Sequence, residues 1–179
     1  PASLADAERG RRRLAYEELF YLQLLHARVH QEATASRRGI PFRRSGELIN
    51  ALYRKLPFQL TEAQTRVLRE IYGDMTRPVR MNRLLQGDVG SGKTVVALFS
   101  MLLALESGYQ AALMAPTEIL AEQHARTLRN LLAGLPVEVV LLTGRLGAAE
   151  RRDALARLAS GEAGIVVGTH ALIQDGVAF

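Results

Sequence analysis

The chain has 179 residues, 48% of them hydrophobic, and no cysteine. That suffices for one substantial core and excludes disulfides, thiolate metal sites and a cysteine nucleophile. Net charge is +5, unevenly held: residues 1–86 carry sixteen Lys/Arg against nine Asp/Glu, and residues 87–179 carry seven against nine. For the basic half, contact with a phosphate backbone and an ordinary solvated surface are equally good readings.

Residues 4–35 read as one long helix. Leu14, Leu19, Phe20, Leu22, Leu25 and Val29 recur at i, i+3, i+4 steps as an apolar stripe. Arg11-Arg12-Arg13 reads as wet helix surface before it reads as a nucleic-acid contact. His26 and His30 share a face, but no third ligand points to a metal. The first residues lack the basic-then-apolar pattern of a signal peptide, and no apolar run approaches the roughly 18 residues of a membrane helix. A cytoplasmic protein is expected. The missing initiator Met suggests a piece cut from a longer chain.

Gly39 and Pro41 stop the long helix. A short helix is expected over Glu47–Lys55, then an extended Leu56–Leu60. Thr61 opens the next helix, and its spacing to Gln64 is that of a capping box. That helix is expected to reach about Tyr72, with Val67, Leu68 and Ile71 inward and a loop over Gly73–Asn82. From Arg83 onward strand and helix alternate. Strands are expected at Leu84–Gln86, Ala111–Ala115, Val137–Leu142 and Gly164–Val167. Helices are expected near Lys93–Ser107, Ile119–Leu132 and Ala148–Ala159. The fold class is therefore α/β with a parallel sheet, and ligands belong at the carboxyl ends of its strands.

One stretch carries chemistry on its own. Gly87, Gly92, Lys93 and Thr94, spanning Asp88, Val89, Gly90 and Ser91, fill the pattern G-x-x-x-x-G-K-[ST]. A strand, a Gly-rich loop and a helix form the setting a phosphate cradle needs. The glycines let the backbone aim its N–H groups at phosphate oxygens, and the helix start adds partial positive charge. Lys93 would reach the β- and γ-phosphates and Thr94 would hold Mg²⁺, so ATP or another nucleoside triphosphate is the expected ligand. Thr117 and Thr169 each follow a strand and precede a helix. Singly each is a plain cap; together, such loops favour an extended polyanion gripped without base reading.

Gly87–Thr94, Ala115-Pro116-Thr117-Glu118-Ile119-Leu120-Ala121-Glu122-Gln123-His124, Leu142-Thr143-Gly144 and Gly168-Thr169-His170-Ala171-Leu172-Ile173-Gln174 together resemble the RecG family of bacterial superfamily-two ATP-dependent DNA helicases. Leu56–Gln64 and the helical run Leu14–Leu25 resemble it too, so the likeness spans almost the whole chain. It implies a helical linker over 1–55 and the first part of a RecA-like motor domain over 56–179, with an incomplete sheet. It implies ATP and Mg²⁺ as cofactors, branched DNA held by its backbone as partner, no membrane, and a monomeric parent protein. Residue by residue, Gln64 would read adenine and Phe58 would stack beside it. Pro116, Thr117 and Gln123 would track DNA, as would Thr143, Gly144 and Arg145, and Gly168, Thr169 and His170. A buried or hydrogen-bonded structural histidine remains the default for His170. The family's Asp-Glu-x-His box is expected beyond Phe179, so these 179 residues are expected to hydrolyse ATP negligibly. The transcription-repair coupling factor is the near neighbour, but Gly90-Ser91 and Ala115–Leu120 look more like RecG. A phosphate-loop kinase or transporter ATPase, and a non-catalytic nucleotide- or DNA-binding module, remain the other classes.

Overall fold

A computed structural model describes residues 3–36, 38–43, 46–173 and 176–179, with backbone only at 30 and 33–36. In chain order it holds α1 (Leu4–Ser36), α2 (Glu47–Lys55), α3 (Glu62–Met75), α4 (Lys93–Glu106), β1 (Ala111–Met114), α5 (Glu118–Leu132), β2 (Glu138–Leu142), α6 (Ala148–Ala159), β3 (Ala163–Gly168) and a 3₁₀ turn (His170–Ile173). The three strands form one parallel sheet in the order β1-β3-β2. The expected α/β architecture is thus present, and each named strand begins or ends within one residue of its expected bounds.

α4 is apolar nearly all round, as a helix walled in on several sides must be. Val95, Val96, Leu98, Phe99, Met101, Leu102, Leu103 and Ala104 are all buried. One side meets the core with Val139, Ile165 and Val167 of the sheet and Leu128 and Leu132 of α5. The other meets Ile71 and Met75 of α3. A second cluster packs α6, through Ala154 and Leu158, against Val140, Leu142 and Val166.

One expectation is corrected. Leu84–Gln86 forms no strand, and Leu84 is 88% exposed. A strand exists through its ladder, and among the described residues no neighbouring segment pairs with 84–86. α2, which lies within the stretch 1–55 expected as a helical linker, packs against the core. Leu52 is wholly buried in the core with Leu98 and Leu128. The Glu106 carboxylate at the end of α4 accepts from the N–H groups of Gly46 (2.8 Å), Leu48 (2.6 Å) and Ile49 (3.0 Å), satisfying the first turn of α2. The Lys55 ammonium donates to the Ala133 carbonyl beyond α5. The α1 helix is present as expected, and its stripe is open to solvent. Leu14, Leu19, Phe20, Leu22, Leu25 and Val29 are all about half exposed or more.

α3 runs to Met75, three residues past Tyr72. The residues Arg37, Arg44, Ser45, Gln174 and Asp175 and the side chain of His30 lie outside the described residues, so the His26–His30 pairing does too.

Candidate nucleotide and nucleic-acid site

The loop before α4 has the geometry of an anion cradle. Gly90 (φ 81°) and Gly92 (φ 82°) both stand in the left-handed region, where a side chain is strained. Gly87 is confined differently: a Cβ there would stand 2.8 Å from Ser91 Oγ. The Ser91 N–H turns back to the Asp88 carbonyl (3.2 Å), and Val95 and Val96 N–H groups close on the Gly92 carbonyl. Among the described residues no acceptor meets the N–H groups of Gly90, Gly92, Lys93 or Thr94. Such a set of free donors at a helix start is what a phosphate requires. Asp88 and Val89 are exposed on the loop's outer side, and Thr94 is half-buried in the first turn of α4. The Lys93 ammonium folds back to donate to the carbonyls of Gly87 (2.7 Å) and Asp88 (2.6 Å). It fills the mouth of the cradle with positive charge.

α3 supplies the second wall. Thr61 caps it and the capping box is complete: Gln64 N–H donates to Thr61 Oγ1 (3.2 Å) and Thr61 N–H donates to Gln64 Oε1 (2.9 Å). The same Gln64 amide then donates from Nε2 to the Ser91 carbonyl (2.9 Å). A Cβ on Gly92 would stand 2.4 Å from that Nε2, so the side chain lies on the loop. Gln64 is thus a cap and a contact of the phosphate loop at once. Phe58 is 47% exposed in the segment leading to Thr61, with its ring free of any aromatic partner among the described residues. A hollow of about 600 Å³ between α2, α3 and α4, lined by Tyr53, Leu68, Tyr72 and Phe99, is separate from this cradle.

The remaining loops meet because the strands end in line. Met114 and Leu142 both pair with Gly168, so β1, β2 and β3 finish at one level. α4 returns to β1 through residues 107–110, so its phosphate-loop end points toward the same edge. Thr117 caps α5, accepting from the Leu120 N–H (3.3 Å). Pro116 and Gln123 are exposed beside it. Arg145, from the loop after β2, forms an ion pair with Glu118 at the start of α5 (2.7 Å). A Cβ on Gly144 would come within 3.2 Å of Glu118 Oε1. Thr169 is half-buried and accepts from the Leu172 N–H through its carbonyl (3.0 Å). His170 is exposed, against the default of a structural histidine.

Two residues on this edge are internal. Thr143 is 2% exposed, backbone and side chain together, so it serves the sheet end and does not present the DNA contact expected of it. Gly168 is buried, and a Cβ there would stand 2.1 Å from the Leu142 carbonyl oxygen. No sequence pattern signals the Glu118–Arg145 pair, whose members are distant in the chain. Nor does one mark the Ser91 carbonyl as the acceptor that joins α3 to the loop.

The profile of the DEAD/DEAH box helicase family matches residues 61–178, which runs from the Thr61 cap through the last of these loops. The chain belongs to the DEAD/DEAH box helicases. Within that family it is similar to the ATP-dependent DNA helicase RecG of Streptococcus pneumoniae, 51% identical over all of this chain and 26% of that protein. It is 53% identical to the ATP-dependent DNA helicase RecG of Bacillus subtilis over 95% of this chain and 25% of that protein. It thus spans about a quarter of the length of these curated relatives. A solved structure of RecG bound to a three-way DNA junction superposes with a TM-score of 0.88, at 45% identity, over 99% of this chain and 24% of that one. A hypothetical ATP-dependent RNA helicase from Sulfolobus tokodaii, 24% identical with a TM-score of 0.54, covers 74% of this chain and 37% of its own and shares the fold. The likeness to RecG read from the motifs is borne out along the whole chain.

Proposed function

We propose that this chain is the phosphate-loop part of the first motor lobe of an ATP-dependent DNA helicase that remodels branched DNA. The observation that carries the reading is the meeting of Gln64 with the loop at Ser91. A plain phosphate-loop kinase or transporter has no use for a glutamine held there. The likeness to RecG proteins over the full chain supports the same reading.

In this reading the free N–H groups of Gly90, Gly92, Lys93 and Thr94 bind the phosphates of ATP. The Lys93 ammonium leaves the Gly87 and Asp88 carbonyls for the β- and γ-phosphates. Thr94 Oγ1 would hold Mg²⁺, which supplies charge neutralisation on the phosphoryl oxygens. Gln64 offers the adenine edge a donor and an acceptor, and the half-exposed Phe58 ring stacks beside it. The in-line sheet ends carry Pro116, Thr117, Gln123, Gly144, Arg145, Thr169 and His170 to the DNA backbone, while the buried Thr143 and Gly168 hold those loops in place rather than touching DNA. Contacts of that kind hold register without reading bases. Closure of two lobes on ATP, and reopening after hydrolysis, would turn alternating grip into translocation.

No Asp-Glu-x-His run occurs within the 179 residues. Binding is therefore the property proposed for this piece, and turnover the property of the longer protein that carries it. The test is unwinding of a forked or four-way junction by that longer protein, with ATP and Mg²⁺. Strand separation faster on junctions than on linear duplex of equal length supports the reading. Equal rates on both, or no separation at all, would sink it.

A further inference from the structure

The uncompensated charge of this molecule sits away from the sheet edge. α1 holds five arginines and five acidic residues, which cancel. Its arginines are mostly tied within the helix, as Arg9–Asp6, Arg12–Glu8, Arg13–Glu17 and Arg28–Glu32. Residues 37–86 hold eleven Lys/Arg against four Asp/Glu, a surplus of seven that accounts for the whole excess of the N-terminal half.

The fold gathers part of that surplus in a ribbon. Arg38 bridges antiparallel to Val79, the Gly39 N–H donates to the Pro78 carbonyl (3.0 Å), and the Phe42 N–H donates to the Met75 carbonyl (3.0 Å). The two sides touch so closely that a Cβ on Gly39 would meet the Val79 carbonyl carbon at 2.3 Å. Arg38, Arg77 and Arg80 are exposed there, and among the described residues none has an ion-pair partner. The carboxylates at the end of α3 pair elsewhere. Arg83 takes both, bonding Asp74 (2.6 Å) and Glu70 (2.8 Å).

We infer that this ribbon is a second DNA-binding surface, contacting the phosphate backbone of a duplex. Guanidinium forks match phosphate oxygens, and a paired strand backbone presents closely spaced charges. A single strand would call for stacking rings. The ribbon's aromatic, Phe42, is already engaged edge-to-face with Tyr109 at 5.6 Å. α3 separates the two surfaces: its first turn bears Gln64 at the phosphate loop, and its fourteen residues carry the ribbon about 20 Å away. The inference rests on the reading of a DNA motor and adds to it a grip outside the sheet-edge loops.

The test is equilibrium binding of the longer protein to a junction with duplex arms, across a salt series. Arg38→Gln/Arg77→Gln/Arg80→Gln is compared with the triple Lys variant and with wild type. The expected result is weaker binding by the Gln variant at low salt. The slope of log K against log salt should fall by about two to three units, near 0.9 for each phosphate contact removed. The Lys variant should restore most of the slope, and nucleotide binding should stay unchanged in both. Identical affinity and slope for the Gln variant overturn the inference while leaving the motor reading intact. So does a loss that is equal at every salt concentration, which marks a folding defect. Arginine-dependent binding to phosphatidylserine vesicles without any change on DNA also overturns it. Failure of the wild-type protein to bind DNA overturns both.

Discussion

Gln64 ties two functions into one side chain, and its two ends can be separated by substitution. Gln64→Glu keeps an oxygen to accept from the Thr61 N–H but loses the amide donor to the Ser91 carbonyl. Thermal unfolding should then change by no more than the few tenths to one kcal/mol of a single hydrogen bond. Preference for ATP over GTP should fall in the longer protein. Thr61→Ala should do the reverse, costing about 1 kcal/mol of stability as a lost cap with nucleotide preference kept. At Lys93 the ammonium already sits on the loop carbonyls, so Lys93→Ala removes both the apo restraint and the phosphate partner. Isothermal titration should show ATP affinity reduced at least tenfold. The Arg83 guanidinium is held above its ordinary pKa, chiefly by its hydrogen bond to Asp74. It stays charged throughout the neutral pH range.

At the scale of elements the sheet end is the tightest place. Gly168→Ala would force a methyl to within 2.1 Å of the Leu142 carbonyl and 3.0 Å of the Leu172 side chain. Overpacking of that kind costs about 1–3 kcal/mol. Chemical denaturation should register it, and the loops after β2 and β3 should lose amide-exchange protection first. Leu52→Ala should cost about 2–5 kcal/mol, because the side chain is wholly enclosed between α2, α4 and α5. A change below 1 kcal/mol would contradict the placement of α2 in the core. Local patterns were legible in the sequence: the capping box, the phosphate loop and the helices Glu47–Lys55 and Ala148–Ala159 all depend on neighbours a few residues away. The strand at Leu84–Gln86 was not, since a strand needs partners from elsewhere in the chain. The burial of Leu52 was not, since Leu98 and Leu128 decide it. The stripe on α1 predicted a helix correctly but said nothing of what covers it.

For the whole molecule the fold sets a shared edge: three strands finishing at one level, with the phosphate-loop helix aimed the same way. The loops after β1, β2 and β3 were legible as strand-following loops, and the parallel order then put them together; the phosphate loop reaches that edge through α4 and not through a strand before it. The Glu118–Arg145 pair was not legible; it joins the loops after β1 and β2 and belongs to tertiary structure alone. Breaking it with Glu118→Gln frees Arg145 at an exposed site, where such pairs are worth about 1 kcal/mol or less. Stability should barely move. The central claim is that this cradle fuels movement on DNA. The most direct measurement is ATP hydrolysis by the longer protein, with and without a DNA junction, in wild type and Lys93→Ala. The account predicts that wild-type turnover rises with junction DNA and that Lys93→Ala abolishes it in both conditions. Turnover indifferent to DNA, or retained by Lys93→Ala, would contradict it.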